Sequence, residues 1–309
     1  MIRTEENILS PANVLGRSLA KRMAALVETM RPKHWTKNLL VFSGLIFSEN
    51  LFAFDHLLQS LAAFCIFCLQ ASSIYLVNDL VDIEKDKVHP LKRLRPLPSG
   101  RLPLAFARTA VPFLSLGGLF AAFLLNVKFG LMVSGYFGLF LLYSFVLKNV
   151  VILDVMTIAL GFVIRAVAGA VVIEVPISKW LLVCTIFLSL FLALCKRRHE
   201  LAVLGDDSSN HRKILNEYSA SFLDQMVAIV TASTVMSYTL YTTAAETIAK
   251  FRTGNLILTV PFIVYGIFRY LYLVYQKEKG GNPEDILIKD RPMLLNVVFY
   301  VITIYVLIY

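Results

Sequence analysis

LLQSLAAFCIFCLQASSIYLV at residues 57–77 passes without a break into NDLVDIEKD at residues 78–86. The first stretch carries no charged side chain, and a helix needs about 20 mostly apolar residues to cross a bilayer. The second sets Asp79, Asp82, Glu84 and Asp86 within eight residues. Carboxylates at membrane depth are costly, so this stretch reads as a transmembrane helix whose acidic end lies at the water boundary.

The rest of the chain agrees. Of its 309 residues 57% are hydrophobic and 17% charged, against about 45–50% and about 25% in soluble proteins, so part of the solvent must be lipid. Further apolar blocks lie at 38–54, 105–125, 129–146, 150–173, 177–195, 222–249, 255–275 and 293–309. The expectation is an all-α integral membrane protein of about nine transmembrane helices, with one domain over 38–309 and a polar cytoplasmic segment over 1–37. That segment has no apolar core of the secretory kind, so no cleaved signal is expected and the amino terminus should stay inside.

Orientation follows from the cations. With the amino terminus inside, the inner segments hold 23 Lys and Arg and the outer ones four, namely Lys128, Lys179, Lys250 and Arg252. Cytoplasmic loops collect Lys and Arg, which accounts for the net charge of +9 without a nucleic-acid partner. The long charged connections 78–104, 196–221 and 276–292 then gather on the cytoplasmic face of an inner, multi-pass membrane protein. Cys65, Cys68, Cys184 and Cys195 sit in or at the end of apolar blocks, and the five histidines lack ligand spacing, so neither a disulfide framework nor a zinc site is expected.

At 100° per residue, Tyr75, Asn78, Asp79, Asp82 and Asp86 share one helix face. Clustered acids repel one another unless a cation joins them, and hard oxygen ligands suit Mg2+, which binds one or two carboxylates plus substrate phosphates. A solvated helix end is the plainer alternative. Lys85 lies within the acidic run, and the proline-stiffened loop that follows carries Lys92, Arg93, Arg95 and Arg101. Acids that hold a metal beside cations that grip phosphate make a diphosphate site. Asp154 and Arg165 share a stripe of an otherwise apolar helix and are about 16 Å apart along it. Too distant to pair, they are expected to line a cavity. Lys37 and Lys148 stand at interfacial helix starts, where each fits either a grip on a lipid phosphate or a snorkelling anchor.

NDLVDIEKD matches the NDxxDxxxD motif of the UbiA superfamily of intramembrane prenyltransferases, and nine helices agree with that fold. The chain resembles more closely the superfamily's decaprenyl-phosphate phosphoribosyltransferase branch at RPKHWTKN (31–38), NDLVDIEKDKVHPLKRLRPLPSG (78–100), LKNVVILDVMTIALGFVIRAVAG (147–169), CKRRHE (195–200), Tyr218-Ser219 to Phe222 and PEDILIKDR (283–291). Typical aromatic prenyltransferases carry a second Asp-rich motif after the sixth helix. Here Lys196, Arg197, Arg198, His199 and Glu200 stand there, and cations in place of acids argue for direct phosphate binding.

The resemblance implies a glycosyltransferase that moves 5-phosphoribosyl from phosphoribosyl diphosphate (PRPP) to a polyprenyl phosphate. Asn78 and Asp82 would hold Mg2+, with Asp79, Asp82 and Asp86 catalytic. Lys37, Tyr75, Lys85, Lys92, Arg93, Arg95, Lys148, Asp154, Arg165, Lys196, Arg197 and Glu200 would bind substrate. A homo-oligomer is compatible with this reading. The rivals are a UbiA-type enzyme that moves a prenyl group onto an aromatic acceptor and a non-enzymatic lipid transporter or scaffold.

Overall fold

Lipid offers a backbone no hydrogen-bond partner, so a spanning segment must satisfy its own amides as a helix. The computed structural model describes residues 11–48, 51–90, 92–204, 213–277 and 283–308, and among these residues no strand occurs. The helices are α1 (Pro11–Met30), α2 (Ser43–Phe47), α3 (Phe54–Val81), α4 (Ile83–Val88), α5 (Leu104–Leu125), α6 (Val127–Phe145), α7 (Leu153–Val172), α8 (Lys179–Leu204), α9 (Ala220–Thr243), α10 (Ala245–Phe251), α11 (Val260–Gln276), α12 (Pro283–Lys289) and α13 (Arg291–Ile308). Eight helical stretches are long and apolar enough to cross a membrane: α3, α5, α6, α7, α8, α9, Asn255–Gln276 and α13. Side chains cap the starts of four of them, where Phe129 N donates to Asn126 and Phe222 N to Ser219, each at 3.1 Å, Met293 N to Asp290 at 3.0 Å and Leu181 N to Ser178 at 3.4 Å. The turn signal at Gly280–Pro283 and the expected outer end at Tyr309 fall wholly or partly outside the described residues.

The first apolar block takes another form. Pro32–Phe42 is a 3-10 helix of 11 residues that leads into the five-residue α2. At about 2.0 Å per residue for the 3-10 part and about 1.5 Å for the α part it spans roughly 30 Å, the thickness of the hydrocarbon core. It runs along the bundle, with Arg31 against Asp79 at the carboxyl end of α3 and Gly44 against Ala170 near the carboxyl end of α7. Glycine permits this approach. A Cβ on Gly169 would lie 1.9 Å from the Val41 carbonyl oxygen, so only a bare Cα lets the two backbones touch there.

α3 and α7 are the most enclosed spans, and α13 is the least. One half of the core packs Val41, Leu45, Phe67, Phe129, Tyr136 and Ala168. The other packs Val155, Phe191, Leu194, Leu223, Ile267 and Tyr270. A third cluster joins Ala25 and Leu26 of α1 to Leu76, Leu97 and Leu102, and a bidentate pair of Arg101 with Glu28 at 2.8 Å fastens the same junction. Residues 28–31, 78–90, 92–101, 148–154, 197–200 and 218 meet at this end of the bundle. At the opposite end Asn126 bonds Glu174 at 3.5 Å.

Candidate active site

The acidic face divides in two. α3 stops at Val81, Asp82 breaks the helix at φ −94° and ψ 8°, and α4 begins at Ile83. Asn78 and Asp82 turn to the 147–149 turn, where Lys148 Nζ donates to both Asp82 carboxylate oxygens at 2.8 and 2.7 Å and to Asn78 Oδ1 at 3.5 Å. Asp79 and Asp86 turn the other way. Arg95 Nη1 joins them, at 3.3 Å from Asp79 Oδ1 and 2.8 Å from Asp86 Oδ2, and Lys92 Nζ stands 3.8 Å from Asp86 Oδ1. Both carboxylates are buried, and buried charge requires such partners.

Arg31 completes this half. Its Nη2 donates to Asp79 Oδ1 at 2.5 Å, and its guanidinium lies 4.8 Å from the centre of the Tyr75 ring. The Tyr75 hydroxyl in turn lies 3.2 Å from His34 Nδ1. Neither Arg31 nor His34 was a candidate from the sequence, although both stand in RPKHWTKN. Lys85 and Arg93 are exposed at the rim of the cluster, and Lys37 is half-buried beside Asn38.

The expected cavity-lining charges on α7 are partnered. Asp154 is fully buried and takes Arg197 Nε at 2.6 Å and the Tyr218 hydroxyl at 2.8 Å. Arg197 Nη1 also donates to Glu200 at 2.5 Å, so two of its donor groups are spent on carboxylates. Lys196 is half-buried beside it. Arg165 has neutral partners instead: Nε donates to Asn38 Oδ1 at 2.8 Å, Nη2 donates to the Tyr136 hydroxyl at 2.5 Å, and the rings of Tyr136 and Phe162 flank it at 4.8 and 5.3 Å. Asn38, Tyr136 and Tyr218 are not among the site candidates read from the sequence: an amide or a phenol among apolar residues carries no charge signal, and Tyr218, although inside a block that carries the resemblance, stands in the connection before α9.

The donor set at Asn78 and Asp82 fits a small hard cation, because three oxygens converge on one point that an ammonium already fills. Among the described residues no three His, Cys, Asp or Glu gather as a metal cage. The protein therefore offers one carboxylate and one amide, and the remaining ligands would be phosphate or water, the arrangement Mg2+ favours.

The model of the UbiA prenyltransferase family matches residues 39–285. The chain belongs to the UbiA prenyltransferase family. It is 32% identical over 299 residues to a decaprenyl-phosphate phosphoribosyltransferase of Mycolicibacterium smegmatis, covering 93% of each chain. With one of Mycobacterium tuberculosis it shares 31% over 289 residues, covering 92% of this chain and 94% of that one. A UbiA homolog from Archaeoglobus fulgidus bound to GPP and Mg2+ has the same fold, with TM-score 0.68 at 18% identity over 92% of this chain and 99% of the other. In this UbiA bundle the 196–200 stretch supplies one acid, Glu200, and that acid is bonded to Arg197.

Proposed function

We propose that this UbiA enzyme transfers 5-phosphoribosyl from PRPP to a polyprenyl phosphate and releases diphosphate, with Mg2+ as cofactor. The observation that carries this reading is the near full-length similarity to the decaprenyl-phosphate phosphoribosyltransferases. The geometry supports it with an acidic seat beside a group of cations. Asn78 and Asp82 would hold Mg2+, which when bound offsets charge on the diphosphate.

Arg31, Arg95, Lys92 and Lys148 pair with Asp79, Asp82 and Asp86. Phosphates can draw these cations away from the carboxylates, and the guanidinium forks of Arg31 and Arg95 match phosphate oxygens in pairs. The bond from ribose C1 to the diphosphate oxygen breaks with its electron pair on the diphosphate. A lipid phosphate oxygen then bonds C1 from the opposite face, with inversion. The acceptor is already ionised, so the chain needs no strong general base. Positioning and charge compensation carry the catalysis.

In this reading the active site faces the cytoplasm from the inner membrane, with 1–37 on the same face, which the cation asymmetry of the loops supports. The rival reaction, prenyl transfer from a prenyl diphosphate to an aromatic acceptor, is separated by incubating purified protein with labelled PRPP or labelled prenyl diphosphate. Label from PRPP should enter the lipid fraction in the presence of polyprenyl phosphate and Mg2+. Consumption of prenyl diphosphate alone would overturn the assignment.

A further inference from the structure

Ile152, at the start of α7, holds φ 69° and ψ −44°, a conformation that a β-branched residue adopts only where its surroundings impose it. Its side chain is 40% exposed, so packing does not impose it. The constraint falls on its amide, which donates to the Tyr218 hydroxyl at 2.7 Å. Tyr218 donates onward to Asp154 Oδ1 at 2.8 Å, and Asp154 Oδ2 takes Arg197 Nε at 2.6 Å. Tyr218, Asp154 and Arg197 are all at most 3% exposed, which makes the phenol a fixed post. Burial, reinforced by the bond to Asp154, pushes its pKa up to about 12 against the opposing amide donor, so it keeps the proton that it gives to Asp154.

Lys148 lies four residues before Ile152, and the link between them has little slack. Val150 N bonds Leu147 O and Asp154 N bonds Val150 O, both at 3.1 Å. Lys148 is buried, with 10% of its side chain exposed, so its flexible stem has little room to swing and the backbone from which it springs decides where the ammonium can rest.

We infer that Tyr218, clamped by Asp154 and Arg197, is a positioning residue that holds the strained turn at Ile152 and thereby sets the Lys148 ammonium against Asp82 and Asn78. This rests on the reading that Asp82 and Lys148 belong to the active site. Asp154 and Arg197 thus act from behind the site, through the turn.

A double-mutant cycle on the full-length protein in detergent tests it, together with labelling of Lys148 by an amine reagent read by peptide mass spectrometry. Tyr218→Phe should lower kcat by about tenfold to 100-fold, the scale of a misplaced catalytic group, and lower the melting temperature as well, because Asp154 loses a donor and the Ile152 amide its acceptor. In a Lys148→Met background the same change should alter kcat by less than about twofold, because neighbours in one chain of action are not additive. Labelling of Lys148 without substrate should rise in Tyr218→Phe. Wild-type turnover and labelling in Tyr218→Phe, or an equal fold-loss in both backgrounds, would overturn the positioning role. If Lys148→Met turns over normally, the active-site reading fails instead, and the labelling rate still decides the positioning. If Tyr218→Phe does not fold, Asp154→Asn, which keeps the volume and an acceptor, is carried through the same measurements.

Discussion

The Lys148 ammonium rests between the two carboxylate oxygens of Asp82, at 2.8 and 2.7 Å, with Asn78 Oδ1 at 3.5 Å. A cation of the protein therefore occupies the point at which these oxygens converge. In the proposed mechanism a divalent ion would displace it, and phosphate-bearing substrate would draw the ammonium away, so that metal entry is coupled to substrate entry. Lys148→Met should tighten binding of Mn2+, used as a probe without substrate, by roughly tenfold, or about 1.4 kcal/mol, while turnover falls. Titration by paramagnetic resonance measures the first and a steady-state assay the second. Unchanged Mn2+ affinity would mean that ammonium and metal do not share the seat.

Arg31 and Asp79 form the buried arm of the cluster. Arg31→Gln leaves a carboxylate that is 1% exposed with, among the described residues, only the 3.3 Å contact to Arg95. Removing one partner of a buried pair should cost about 2–4 kcal/mol of stability and weaken PRPP binding. Arg31→Lys should not restore either, because an ammonium lacks the planar guanidinium that donates to Asp79 while lying over the Tyr75 ring. Melting temperatures and PRPP calorimetry for both variants check this, and full rescue by lysine would refute it.

Asp154 and Arg197 make an ion pair at 0% and 2% side-chain exposure. Arg197→Met alone should lose about 3–5 kcal/mol, since it strands a buried carboxylate. Replacing both, as Asp154→Leu with Arg197→Met, should recover much of that stability but not activity, because Tyr218 beneath Ile152 is no longer clamped. Denaturation in detergent measures the first part. A double variant less stable than Arg197→Met would contradict it.

The spans were legible because lipid demands long apolar runs, and the acidic motif was legible because charge at a helix end is conspicuous. The pairs that build the site were not. Asp79 meets Arg31 across 48 residues, Asp82 meets Lys148 across 66, and Asp154 meets Arg197 across 43. Such pairings depend on the register between helices, which the periodicity of one segment does not encode. Arg197 stood out as a phosphate ligand because its partner Asp154 lies on another helix. The 3-10 form of Pro32–Phe42 escaped notice because hydropathy counts residues and does not sense rise per residue.

The backbone contact of Gly169 with Val41 gives a paired test. Gly169→Ala drives a Cβ into a carbonyl oxygen at 1.9 Å, and a displaced backbone should cost about 1–3 kcal/mol. Gly117 in α5 has nothing within 4 Å of the corresponding position, so Gly117→Ala should be neutral or stabilise by up to about 1 kcal/mol. Equal melting temperatures for the two variants would mean that the 3-10 segment does not pack on α7 as described.

The most direct test of the proposed transfer is the mass of the lipid product. Purified protein, Mg2+, polyprenyl phosphate and PRPP carrying a 13C-labelled ribose are incubated, and the lipid fraction is weighed by mass spectrometry. The account predicts a polyprenyl phosphate heavier by one labelled phosphoribosyl group, with diphosphate released in equal amount and product lost in Asp82→Asn. A wild-type reaction that yields no such lipid, or undiminished product from Asp82→Asn, would contradict it.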